Sequence, residues 1–261
     1  MPMRNIKLTI EYVGAAFCGW QIQNNARSVQ GVIRDAIRNI TKEENNLIGA
    51  SRTDAGVHAL GQVAHFKTST KISLDGFVKA INSKAGKNIT VIKAEEAGDL
   101  FHAQRSAKSK LYRYILSLSD IYSPHLVDRC WFVRAKLNLP LMRETAKLIK
   151  GEHDFKMFQA SGSSTKTTVR EIYNIKVQKA DKIFFPWLGA DGAGRDDLLY
   201  IDIKGNGFLY KMVRNIVGTL VEIGKGRVDP KHISSLLNLS VNKRAGVCAP
   251  AQGLYLVRVD Y

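Results

Sequence analysis

Ile6, Leu8, Ile10 and Tyr12 alternate with Lys7, Thr9 and Glu11, a period of two that a half-buried strand satisfies and a helix does not. Behind Ser28 as a candidate N-cap, the pattern changes to Val29, Val32, Ile33, Ala36, Ile37 and Ile40, the spacing of one helix face. Residues 47–50 and 61–68 then read as strands, 74–83 as a second helix and 89–95 as another strand. The resulting order, β-α-β-β-α-β, is ferredoxin-like and predicts an antiparallel sheet with two helices on one face.

The remainder repeats this order loosely. A strand is expected at 110–118, an extended piece at 130–134 and a helix at 139–150 that ends at Gly151. Strands follow at 168–178 and 198–204, then helices at 208–223 and 232–239 and a last strand at 254–260. The fold class expected is therefore α+β, two ferredoxin-like halves that form an extended antiparallel sheet. Residues 1–105 make the N-terminal half and 106–261 the C-terminal half. Such halves are expected to leave a cleft where they meet, a favoured place for a ligand.

The net charge is +16, and both halves carry more Lys and Arg than Asp and Glu. The excess is spread over folded segments rather than gathered in a tail, which points to a polyanionic partner such as nucleic acid. No apolar run approaches the roughly 18 residues of a membrane span, and the first dozen residues lack a signal-peptide core. A cytoplasmic protein without membrane attachment is expected. Cys18, Cys130 and Cys248 are far apart and odd in number, and His58 and His65 lack helical ligand spacing. Neither a disulfide framework nor a metal site is expected.

Within GASRTDAGVHALGQVAHF, small residues surround Arg52, Thr53 and Asp54 between two strand-like stretches. Locally this reads either as an ordinary turn or as an exposed carboxylate that a base or sugar can approach. Tyr112 shares one face of its strand with Tyr114, Leu116 and Leu118. It reads as a core aromatic or as a ring that stacks on a nucleobase or moves a proton, and Arg105, Lys108, Lys110 and Arg113 lie close to it in sequence. In KMVRNIVG the apolar Met212, Val213, Ile216, Val217, Leu220 and Val221 oppose Lys211, Arg214, Asn215 and Gly218. That polar side is expected either in solvent or toward a cleft, where Arg214 would meet a phosphate or carboxylate. GADGAG at 189–194 lacks the Lys-Ser/Thr of a phosphate loop and reads as a surface loop.

Several of these segments, in order, resemble the tRNA pseudouridine synthase A family: YVGAAFCGWQIQ, SVQGVIRDAI, SRTDAGVHALGQVAHF, FHAQRSAKSKLYRY, GEHDF, GFLYKMVRNIVGTL and APAQGLYL. The resemblance implies isomerisation of uridine to pseudouridine at positions 38, 39 and 40 of the tRNA anticodon stem-loop, by a homodimer without cofactor. It makes Asp54 the catalytic aspartate, Arg52 the arginine paired with it and Tyr112 the tyrosine on the target base, with Arg214 near the substrate. The chemistry admits attack at ribose C1′, attack at uracil C6, or assisted elimination. Ser51 stands where glycine is usual, Gln104 where arginine is usual, and the 182–197 stretch is longer than usual.

Overall fold

The computed structural model describes residues 2–162, 165–179, 198–239 and 245–261. The 182–197 stretch, with its GADGAG loop, lies outside the described residues. The architecture is α+β, and the chain divides into two compact units, Met1–Lys110 with Tyr255–Tyr261, and Leu111–Leu254.

The first unit contains β1 (Arg4–Tyr12), α1 (Val29–Thr41), β2 (Ile48–Gly49), β3 (His58–Thr68), α2 (Leu74–Ala85) and β4 (Ile89–Ala97). Its strands lie in the order β4-β1-β3-β2, every neighbouring pair antiparallel. That is the ferredoxin-like arrangement read from the sequence. A further strand, β10 (Leu254–Asp260), pairs in parallel with β3 through Tyr255 with His58 and Leu256 with Ala59.

The register places Ile6 opposite Phe66 and Leu8 opposite Ala64. Phe66 meets Phe77 of α2 edge-on at 5.4 Å, so this face of the sheet lies beneath the helices. Val29, Ile33 and Ile37 of α1 and Phe77 and Ile81 of α2 are fully buried there, each contributing roughly 1.5–3 kcal/mol by leaving water. Ser28 Oγ accepts from the Gly31 amide at 3.2 Å and Ser73 Oγ from the Gly76 amide at 3.1 Å. These caps start both helices where the periodicity begins.

The second unit contains most of β5 (Ser109–Ser117), with β6 (Trp131–Phe132), α3 (Leu139–Lys147), β7 (Gly151–Asp154), β8 (Val169–Lys179), β9 (Leu198–Gly205), α4 (Met212–Gly224) and α5 (Lys231–Leu237). The strands run β5-β9-β8-β7, and β6 adds in parallel to β5. Taking β5, α3, β8, β9 and α4 in turn, the first unit's β-α-β-β-α order recurs.

Of the boundaries that differ from the periodicity, two bear on the second unit's helices. The helix expected from 208 begins at Met212, because Lys211 holds φ at 58°, a left-handed value that no α-helix continues through. The helix expected to reach residue 150 stops at Lys147, and the GEHD segment after it is an unforeseen strand paired with β8. Among the described residues no helix is long and apolar enough to cross a membrane.

Candidate functional site

Between β2 and β3 the chain is held residue by residue. The Ala50 amide donates to the Val63 carbonyl at 2.7 Å, and Lys110 Nζ donates to the Ala50 carbonyl at 2.7 Å. The Gln62 side chain, fully buried, then acts as a strand neighbour for Ser51. Its Nε2 donates to the Ser51 carbonyl at 2.7 Å and its Oε1 accepts from the Ser51 amide at 3.2 Å.

Thr53 is the next anchor. Its Oγ1 and the Tyr12 hydroxyl share a buried hydrogen bond of 2.7 Å, and its carbonyl accepts from the Trp20 amide at 3.0 Å. One residue on, the Asp54 carbonyl accepts from the Val57 amide at 3.1 Å and closes a turn over Ala55 and Gly56. With Thr53 buried, its neighbours are displaced outward: Arg52 is exposed and Asp54 half-buried. The backbone of Asp54 is thus fixed on both sides while its carboxylate stays within reach of a substrate.

This platform comes from parts of the chain that the loop sequence does not reveal. Trp20 is buried, and its carbonyl accepts from the Gln30 amide at 3.0 Å. Gln30 in turn bonds the Ile22 amide at 3.0 Å and the Leu47 carbonyl at 2.8 Å. The YVGAAFCGWQIQ segment, the start of α1 and the SRTDAG loop therefore form one hydrogen-bonded assembly. The sequence does not single out Gln62, since the same strand also carries His58, His65, Lys67 and Thr68. Replacing Gln62 with leucine is expected to strand both polar groups of Ser51 and to cost about 3 kcal/mol. A lowered thermal midpoint measures that loss.

Tyr112 and Arg214 belong to the second unit. Tyr112 on β5 is buried, with 5% of its surface exposed, and meets Phe208 edge-on at 5.1 Å. Arg113 beside it is engaged by Asp202, with Nε and Nη2 donating to the two carboxylate oxygens at 2.7 and 2.8 Å. The guanidinium also stands 4.2 Å from the Tyr200 ring. The bonds to Asp202 raise the Arg113 pKa. This pair is half-buried and internally neutralised, so Arg113 adds less to the field near Tyr112 than sequence proximity suggests.

The polar side of α4 is partly covered. Arg214 Nε donates to the Ala249 carbonyl at 2.7 Å, and the Ala249 amide donates back to the Arg214 carbonyl at 3.1 Å. Asn215 is buried and donates to the Phe158 carbonyl at 2.7 Å. At Gly218 a Cβ would stand 1.7 Å from the Val247 carbonyl oxygen. Asn215 and Gly218 are therefore buried rather than in solvent, with the 245–249 segment against Gly218, while Lys211 and Arg214 keep part of their surface accessible. Periodicity registers the polarity of Asn215 and Gly218, but not that backbone groups elsewhere satisfy or require it.

The four candidate residues thus divide. Arg52 and Asp54 flank Thr53 on one loop of the first unit, and Tyr112 and Arg214 stand on β5 and α4 of the second. Among the described residues no three His, Cys, Asp or Glu side chains converge as a metal site requires.

Comparison with known proteins extends these observations. The sequence model of a family described as tRNA pseudouridine synthase matches residues 8–104 and 145–261. The chain is 42% identical over 259 residues to the tRNA pseudouridine synthase A of Thermoanaerobacter sp. (strain X514), covering 99% of this chain and 100% of that one. It is 44% identical over 259 residues to the protein of the same name from Acetivibrio thermocellus, with the same two coverages.

Proposed function

Because the chain belongs to the tRNA pseudouridine synthase family, whose members isomerise uridine to pseudouridine, we propose that it carries out this reaction at positions 38, 39 and 40 of the tRNA anticodon stem-loop, with Asp54 as the nucleophile. The reaction exchanges the C1′–N1 bond of uridine for a C1′–C5 bond. The C5 hydrogen leaves as a proton and N1 takes one up, so the step needs neither redox chemistry nor a cofactor. The observation that carries the reading is Asp54 itself: a half-buried carboxylate on a backbone pinned through Ser51, Thr53 and Val57, in a chain of net charge +16.

In this reading the basic surface holds the phosphates of the stem-loop and offsets the few kcal/mol needed to turn the uridine out of its stack. Arg52, exposed two residues from Asp54, fills the space the base leaves. Tyr112 packs on the detached uracil while it rotates. Arg214 binds substrate from α4, its guanidinium oriented by the bond to the Ala249 carbonyl. The enzyme is proposed to act in the cytoplasm as a homodimer.

Tritium release from tRNA labelled at uridine C5 tests the reaction, and transcripts bearing cytidine at 38, 39 and 40 test the position. Release is expected from uridine-bearing stem-loops, with no free uracil formed. Free uracil would make the protein a glycosidase, and release unaffected by cytidine at all three positions would overturn the assignment to them.

A further inference from the structure

His65 lies on the face of β3 turned away from α1 and α2, opposite Lys7 of β1 and Ile48 of β2. It is 95% buried with respect to its own full exposure, only 5% remaining accessible. Its Nδ1 accepts the Ala103 amide at 3.1 Å, and its ring also hydrogen-bonds the Ile48 backbone. With Nδ1 an acceptor, the other nitrogen is the donor to the Ile48 carbonyl. Burial first, with smaller electrostatic contributions from His102 and Lys67, holds its pKa below the ordinary imidazole value, which keeps the ring in the neutral form that this pattern requires.

Ala103 belongs to a tight turn that extends from residue 98 to residue 106. The Phe101 amide donates to the Gly98 carbonyl at 2.9 Å and the Ser106 amide to the His102 carbonyl at 2.9 Å. The Gln104 and Arg105 amides both donate to His102 Nδ1, at 3.3 and 3.2 Å. Asn5 Nδ2 donates to the Gly98 and Phe101 carbonyls at 3.0 and 3.1 Å, and the Tyr261 hydroxyl to the Ala103 carbonyl at 2.8 Å. The anchors from Asn5, His65 and Tyr261 lie on the sheet side, and the turn leaves Gly98, Asp99, Leu100, Gln104 and Arg105 exposed.

We propose that His65 is a positioning residue for the isomerisation, tying β2, which delivers the Asp54 loop, to the 101–106 turn, which offers Arg105 to the tRNA backbone. One ring thus fixes the register between the reacting carboxylate and a phosphate contact. The inference rests on Asp54 being the reacting group. It assigns the two ring nitrogens different tasks, and the two amide side chains separate them.

Glutamine at 65 retains a donor for the Ile48 carbonyl and loses the acceptor for Ala103. Asparagine retains the acceptor and loses the donor. His65→Gln is expected to raise KM for tRNA about tenfold with kcat within about twofold, the loss of one hydrogen bond in the binding arm. His65→Asn is expected to lower kcat about tenfold with KM within about twofold. Arg105→Ala, on the exposed turn, is expected to match the KM effect of the glutamine variant without a change in thermal midpoint.

A purely structural His65 would lower the midpoint in both variants and leave kcat and KM of the folded enzyme unchanged, which overturns the proposal. So does an unchanged KM in Arg105→Ala. The KM measurements do not depend on which carboxylate reacts. Turnover retained by an Asp54→Asn enzyme would remove the Asp54 reading and with it the expected kcat effect at His65, leaving the KM effect to stand or fall on its own, whereas unchanged KM beside an inactive Asp54→Asn enzyme would remove the His65 proposal alone.

Discussion

Asp54→Asn is expected to abolish turnover, by at least about four orders of magnitude, because an amide offers no nucleophilic oxygen of comparable strength. The substitution is nearly isosteric, and the turn at this position is closed by the Asp54 carbonyl rather than its side chain. The loop should therefore keep its shape. Affinity for tRNA is expected to stay within about threefold, and any change should be toward tighter binding, since a negative charge near a polyphosphate is removed. Single-turnover tritium release measures the first quantity and filter binding the second. Pseudouridine formed by this variant at a rate near that of the native enzyme would sink the assignment of Asp54. An inactive variant that also fails to bind would point to a collapsed loop instead.

Gly14→Ala is expected to damage the same site from below. A Cβ at residue 14 would stand 2.0 Å from the Val57 carbonyl oxygen and 2.3 Å from its carbon. Both are backbone atoms, so no rotamer change relieves the overlap. The Gly14 amide also donates to His58 Nδ1 at 3.2 Å, which leaves the residue little room to retreat. Val57 must move, and its amide is the one that closes the turn on Asp54. A destabilisation of about 3 kcal/mol follows from overpacking of this kind, or roughly 6–12 °C in thermal midpoint for a chain of this size. A shift of the carboxylate by a fraction of an ångström to an ångström is expected to cost about a hundredfold in turnover. Gly98→Ala serves as the control, since a Cβ there meets nothing within 4 Å, and it should change neither quantity. If Gly14→Ala behaves like the control, the close approach of residues 14 and 57 is not a feature of the folded protein.

The strands and helices of the first unit were legible because local signals agreed with one another. Alternation set β1, Ser28 set the start of α1, and small residues set the loop between β2 and β3. Asp54 stood out for the same reason, as a carboxylate among residues without bulk. What supports it was not legible. Gln62 reaches Ser51 across 11 positions, Tyr12 reaches Thr53 across 41, and Ala103 reaches His65 across 38. Such bonds depend on tertiary register, which no local pattern encodes. The partner of Arg214 Nε was hidden for a related reason, since it is a backbone carbonyl 35 positions away. The four-residue error at the start of α4 has a local cause, the left-handed Lys211, but lysine gives no compositional sign of that conformation.

The strand pairing of Tyr255 and Leu256 with His58 and Ala59 has a consequence for how the protein is made. Residues Tyr255–Tyr261 belong to the same compact unit as Met1–Lys110, although all of Leu111–Leu254 is translated between them. On the ribosome, the β-α-β-β-α-β segment emerges first and must wait for β10 until residues 111–254 have been synthesised. During that interval one side of β3, beside the Asp54 loop, has an open edge, the kind of surface that chaperones cover and that neighbouring nascent chains can pair with. The pairing of β3 with β10 is thereby delayed until residues 111–254 have been made, and closing so long a loop makes this pairing a slow step of folding.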